Sequence, residues 1–221
     1  MSRSLSGPSA EPASGRPARQ VVVLLHGVGA DGADLMAMVP HVAEALPDAA
    51  FLAPDAPFAY DMAPSGRQWF SLGDRSAAAL SEGVRAVAPM VDSFIDAHLA
   101  ARGLDDNALA LVGFSQGTMV ALHVAFRRLR PCAAVVGFSG ALLAPERLPG
   151  EIRSRPATLL IHGSADAVVN PACLPQAEAG LAAVGVPVLA RTLPGVGHAI
   201  DGSGLAAAVA FVRQSFAAAR P

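Results

Sequence analysis

Aromatic side chains are scarce in this chain, 5% of 221 residues with one tryptophan and one tyrosine, and charged side chains make up only 15%. No apolar run approaches the ~18–20 residues of a membrane-spanning helix. The mean hydropathy of +0.43 therefore reflects alanine rather than lipid, and no stable membrane insertion is expected. A net charge of -2, a pI near 6.3 and scattered arginines leave no electrostatic footprint for nucleic acid. Cysteine is limited to Cys132 and Cys173, far apart and outside any Cys-x-x-Cys pattern, so free thiols are expected and no metal or redox centre. Internal repeats are absent. Residues 1–19 lack the apolar core of a secretory signal, and their Ser, Pro, Gly, Ala and Arg content reads as a disordered tail on a cytoplasmic protein.

What is abundant is apolar surface, 52% of residues, enough for residues 20–221 to build one domain with a sizeable core. Apolar runs predict strands at 20–25, 51–53, 108–112, 132–138 and 157–161, the first a continuous β-branched and leucine run that marks burial on both faces, and a last strand is read at 187–193. Helical patterns fall between them at 33–46, 77–102 (bent or interrupted near Pro89), 118–124, 172–184 and 205–219. Strand and helix in alternation imply an α/β fold, a mostly parallel sheet with helices on both faces. Ligands of such sheets sit beyond the carboxyl ends of the strands.

The chemistry gathers at those ends. Gly113-Phe114-Ser115-Gln116-Gly117 lies between a strand and a helix, and its glycines let the two pack closely around a serine held on a sharp turn. Ser115 is the candidate nucleophile. A serine hydroxyl needs an imidazole to take its proton, and His198, in the loop between the last strand and the last helix, is free to be aimed. His26 and His162 sit in tight Gly-containing turns where a structural hydrogen bond is the commoner role. Asp166, after the preceding strand, gives the order Ser, Asp, His and is the candidate orienting carboxylate. Asp201 is its rival, and is read instead as the cap of the final helix. Backbone N–H groups of Val28, in the glycine-rich turn after the first strand, and of Gln116 are the candidate oxyanion hole.

Leu25-His26-Gly27-Val28-Gly29-Ala30-Asp31-Gly32, Gln68-Trp69-Phe70, the serine elbow, His162-Gly163-x-x-Asp166 and Gly197-His198 together resemble the phospholipase/carboxylesterase family of α/β hydrolases, which includes the acyl-protein thioesterases. The resemblance spans residues 20–219. It implies an α/β-hydrolase fold, hydrolysis of small-molecule esters or thioesters without a cofactor, a triad of Ser115, Asp166 and His198, and an oxyanion hole at Val28 and Gln116. Thr118 departs from the family, which usually has a small residue there, and Ala167 and Asn170 replace its usual prolines.

Two other readings compete. Gly27 to Gly32 also fits the Gly-x-Gly-x-x-Gly dinucleotide fingerprint, with Asp55 as its ribose-binding acid, and a non-catalytic binding protein could share the fold. Both leave the serine elbow, Asp166 and His198 without a role. The few aromatics cluster in the excursion after the second strand, where two readings stay open: a satellite cluster that pins the long loop to the sheet, or, with Trp69, Phe70 and Leu72 as candidates, walls for an acyl chain. No segment is long enough for a separate cap domain, so short to medium acyl esters are expected, on a monomer or homodimer.

Overall fold

The computed structural model describes residues 4–219. Its strands are Ser9–Ala10 (β1), Gln20–Leu25 (β2), Ala49–Leu52 (β3), Phe58–Ala59 (β4), Arg67–Gln68 (β5), Leu109–Phe114 (β6), Ala134–Phe138 (β7), Ala157–Gly163 (β8) and Val188–Leu193 (β9). Strands β4 and β5 form a separate two-stranded hairpin, while the others make a seven-stranded sheet in the order β1-β3-β2-β6-β7-β8-β9. Within the sheet only β1 runs antiparallel to its neighbour.

Alternation along each strand sends side chains to two separate cores. Val21, Val23, Leu25, Leu109, Leu111 and Val135 face one, which is closed by Ala77–Arg102 (α3), Gln116–Ala125 (α4) and Cys173–Ala182 (α6). Val22, Leu24, Ala110, Val112, Val136 and Ile161 face the other, closed by Gly32–Met36 (α1), Val39–Val42 (α2) and Gly202–Ala218 (α7). A sheet covered on both faces is why its strands carry so few polar residues. A short helix, Leu148–Glu151 (α5), punctuates the excursion after β7.

Three expectations are corrected. The helix expected over 33–46 is split into α1 and α2, because Pro40 has no N–H to continue the first turn and starts a new one instead. Pro89, by contrast, does not interrupt α3; it is exposed, so water can serve the carbonyl that its ring leaves unpaired. Residues 4–19 are not a disordered tail. Ser9 and Ala10 pair with Leu52 and Phe51, Ala53 N–H donates to Pro8 O at 3.0 Å, and Asp55 N–H donates to Ser6 O at 2.8 Å. Further along, Arg16 bonds Asp48 at 3.0 Å. The backbone of β3 would otherwise be an open sheet edge, and pairing with it outweighs the tail's composition. Residues 1–3 of that expectation lie outside the described residues.

Removing residues 4–10 should therefore lower the unfolding free energy by at least ~2 kcal/mol, one for each lost loop hydrogen bond. It should also speed hydrogen exchange at the Ala53 and Asp55 amides. Unchanged exchange at both amides would mean that the segment does not protect the edge.

Candidate active site

The edge formed by the carboxyl ends of the parallel strands carries the polar candidates: Val28 follows β2, Ser115 and Gln116 follow β6, Asp166 follows β8 and His198 follows β9. Ser115 has φ 54° and ψ -117°, a backbone conformation that non-glycine residues avoid. Several contacts hold it there. Its N–H donates to Phe138 O at 2.9 Å, and α4 starts at the next residue. A Cβ at Gly117 would lie 1.8 Å from Leu25 O, and one at Gly113 would lie 2.5 Å from the Gly117 carbonyl carbon. Strand β2, strand β6 and helix α4 can meet only because both residues are glycine.

Thr118 is built into this elbow. Its buried hydroxyl lies 2.8 Å from both Gly113 O and Phe138 O, joining β6 to β7. Its methyl fills space over Gly137 and Gly140, where an added Cβ would approach Thr118 to 2.5 and 2.4 Å.

Asp166 and His198 come together. His198 Nδ1 is 2.8 Å from Asp166 Oδ2, while Oδ1 accepts the backbone N–H groups of Val168 and Val169 at 2.8 and 2.9 Å. Burial alone would raise the Asp166 pKa, but these donors, His198 foremost, outweigh it and hold the carboxyl below its ordinary range. The two loops are also stapled through their backbones: Ala165 N–H donates to Val196 O and Ser164 N–H to Leu193 O, both at 2.9 Å. Against the other side of the imidazole lies Phe114, with ring centroids 4.8 Å apart. Among the described residues the Ser115 hydroxyl makes no hydrogen bond, so Ser115 and the His198 imidazole share an edge without being joined.

His26 and His162 have the structural roles expected of them. Buried His26 bonds Gly27 O through Nδ1 at 2.7 Å and accepts Ala56 N–H at Nε2 at 3.0 Å, and burial lowers its pKa. His162 Nε2 bonds Val169 O at 3.1 Å and lies 3.1 Å from Asp166 Oδ2, closing the loop that carries the carboxylate. The sequence motif His162-Gly163-x-x-Asp166 carries both residues, but not the contact between the imidazole and the carboxylate. Asp201 caps α7, accepting Gly204 N–H at 2.7 Å.

The backbone N–H groups of Val28 and Gln116 have no acceptor among the described residues. The dinucleotide reading loses its parts here. Asp55 accepts Gly32 N–H at 2.9 Å, and Asp31 with Asp34 forms a capping box on α1, placing carboxylates where a pyrophosphate would have to bind.

Trp69 and Phe70 are corrected as acyl-chain walls. Trp69 is fully buried, its indole N–H donating to His26 O at 2.8 Å, and Phe70 is buried against α3, where a Cβ on Gly83 would meet it at 2.7 Å. Side chains so enclosed anchor a long loop rather than line a groove. Leu72, half-buried at the edge of the same core, keeps exposed surface.

A family model described as Phospholipase/Carboxylesterase matches residues 11–216. Esterase YpfH of Escherichia coli (strain K12) is 29% identical over 186 residues, 84% of this chain and 78% of that protein. Among solved structures, esterase PE8 is 39% identical and superposes with a TM-score of 0.92 over 96% of this chain and 99% of its own. Zea mays acyl-protein thioesterase 2, 20% identical with a TM-score of 0.73 over 95% of this chain and 98% of its own, shares the fold.

Replacing Thr118 by Val keeps the shape and removes the hydroxyl that joins two strands. The urea unfolding free energy should fall by about 1–2 kcal/mol; a change below about 0.5 kcal/mol would show that the hydroxyl contributes nothing to the elbow.

Proposed function

The chain belongs to the phospholipase/carboxylesterase family of α/β hydrolases, and on that premise we propose that it is a serine hydrolase of carboxylic esters and thioesters with Ser115, His198 and Asp166 as its triad. The observation that carries this reading is the 2.8 Å contact between Asp166 and His198 on the sheet edge where Ser115 is held strained.

In the proposed cycle His198 Nε2 takes the Ser115 proton as Oγ adds to the acyl carbon, and the oxyanion is met by the N–H groups of Val28 and Gln116. Both donors are unengaged among the described residues, and unpaired backbone N–H groups beside a buried serine suit an acceptor from outside. Collapse of the adduct breaks the acyl–oxygen or acyl–sulfur bond. His198 returns the proton to the departing alcohol or thiol, and a water then repeats the sequence to free the acid. Asp166 stays ionised throughout, in keeping with its depressed pKa, and stabilises the imidazolium.

The acyl group is read as short to medium. Leu72 remains the candidate wall, with Trp69 and Phe70 behind it as support. A shallow wall supplies about 0.8 kcal/mol per buried CH₂ only until the groove ends.

Ser115→Ala should abolish hydrolysis of p-nitrophenyl butyrate without loss of fold. Asp166→Asn should lower kcat by about 10⁴, while Asp201→Ala costs about 1 kcal/mol of stability and leaves kcat unchanged. Near wild-type turnover by pure Ser115→Ala enzyme would refute the assignment, and activity lost with Asp201 rather than Asp166 would move the triad acid. Across p-nitrophenyl acetate to palmitate, kcat/KM should rise and then fall, and Leu72→Ala should flatten the rise. A profile identical in both proteins would remove Leu72 from the site.

A further inference from the structure

The buried amide of Gln116 and the buried indole of Trp69 are both engaged with backbone. Gln116 Oε1 accepts Trp69 N–H and Gln116 Nε2 donates to Phe70 O, both at 2.8 Å, so the amide pairs with the 69–70 segment as one strand pairs with another. That donor and acceptor pattern fixes which way the amide faces. Trp69 Nε1 in turn donates to His26 O at 2.8 Å, at the start of the turn that carries Val28. Two residues earlier, Arg67 clasps the far side of that turn: Gly29 N–H donates to Arg67 O at 2.7 Å, and Arg67 N–H donates to Ala30 O at 2.9 Å.

Residues 67–70 thus bridge the two turns whose N–H groups receive the oxyanion. One end is held by the side chain of Gln116, whose own backbone N–H is one donor. The other end grips the Val28 turn on both sides. We propose that Trp69 and the Gln116 side chain are positioning residues that set the separation of the Val28 and Gln116 N–H donors; this rests on the serine hydrolase reading. An oxyanion hole acts through fixed donors aimed at charge that develops only in the transition state. Loosening the brace should therefore weaken transition-state binding and spare the ground state.

Two variants open the brace at different ends. Trp69→Phe keeps a ring and removes the N–H to His26 O, while Gln116→Glu keeps the acceptor for Trp69 N–H and replaces the donor to Phe70 O. With active sites counted by fluorophosphonate titration, each should lower kcat for p-nitrophenyl butyrate by roughly 10- to 100-fold and leave KM within about twofold. An alkyl trifluoromethyl ketone, which forms an oxyanion adduct with the serine, should lose affinity by the same factor, whereas the plain methyl ketone of equal chain length should not. Should Trp69→Phe fail to fold, Gln116→Glu alone carries the test. Unchanged kcat per titrated site with only a lowered Tm would overturn the inference in favour of a structural role. Parallel weakening of KM and both ketones would overturn it in favour of a substrate wall. Wild-type enzyme and Ser115→Ala run alongside separate the failures: no Ser115-dependent turnover in wild type defeats the hydrolase reading and this inference together, while normal wild-type turnover with unaffected variants defeats the inference alone.

Discussion

The backbone of Ser115, held at a positive φ between strand and helix, is the constraint on which the rest of the structure depends. A conformation that costs of order 1–3 kcal/mol persists only where its surroundings over-determine it. Here the surroundings are two parallel neighbours of β6, a helix that starts at the next residue, and two glycines that admit carbonyl groups where side chains would collide. Thr118 adds a hydroxyl tie across the same junction. The sheet's apolar faces supply the stability that this strained point draws on, through the two cores they build.

Around that fixed point the loops are rigid for reasons of their own. The Asp166 and His198 loops are joined by backbone hydrogen bonds, and the carboxylate is oriented by two backbone N–H donors before His198 reaches it. A Cβ on Gly163 would lie 2.2 Å from Val196 O, so the close approach of these loops depends on that residue being glycine. On the opposite side, His26 and residues 67–70 hold the turn of Val28. Groups brought together in this way need little reorganisation when charge moves, and that is the physical content of a preorganised site.

Much of this was legible in the sequence because the signals are local. Apolar runs marked β2, β6, β7 and β8 to within a few residues, a more mixed stretch marked β9, and the parallel topology then placed Ser115, Asp166 and His198 on one edge. What composition and periodicity could not supply is non-local. Residues 4–19 look disordered by content, yet they cover the open edge of β3, a partner more than thirty residues away. The sequence does not decide between an anchoring and a substrate-lining role for Trp69, because its acceptor, His26 O, and its clamp, Gln116, lie 43 and 47 positions distant. Pro40, inside a stretch with helical spacing, divides α1 from α2, whereas Pro89 survives inside α3 because it faces solvent.

The central claim is that the strained serine is a nucleophile activated by the His198–Asp166 pair. Peptide mapping by mass spectrometry after brief exposure to a fluorophosphonate, with wild type and His198→Ala treated side by side, tests it most directly. The account requires one adduct, on Ser115, forming orders of magnitude faster in wild type than in the His198 variant. An adduct elsewhere, or equal rates in the two proteins, would contradict it.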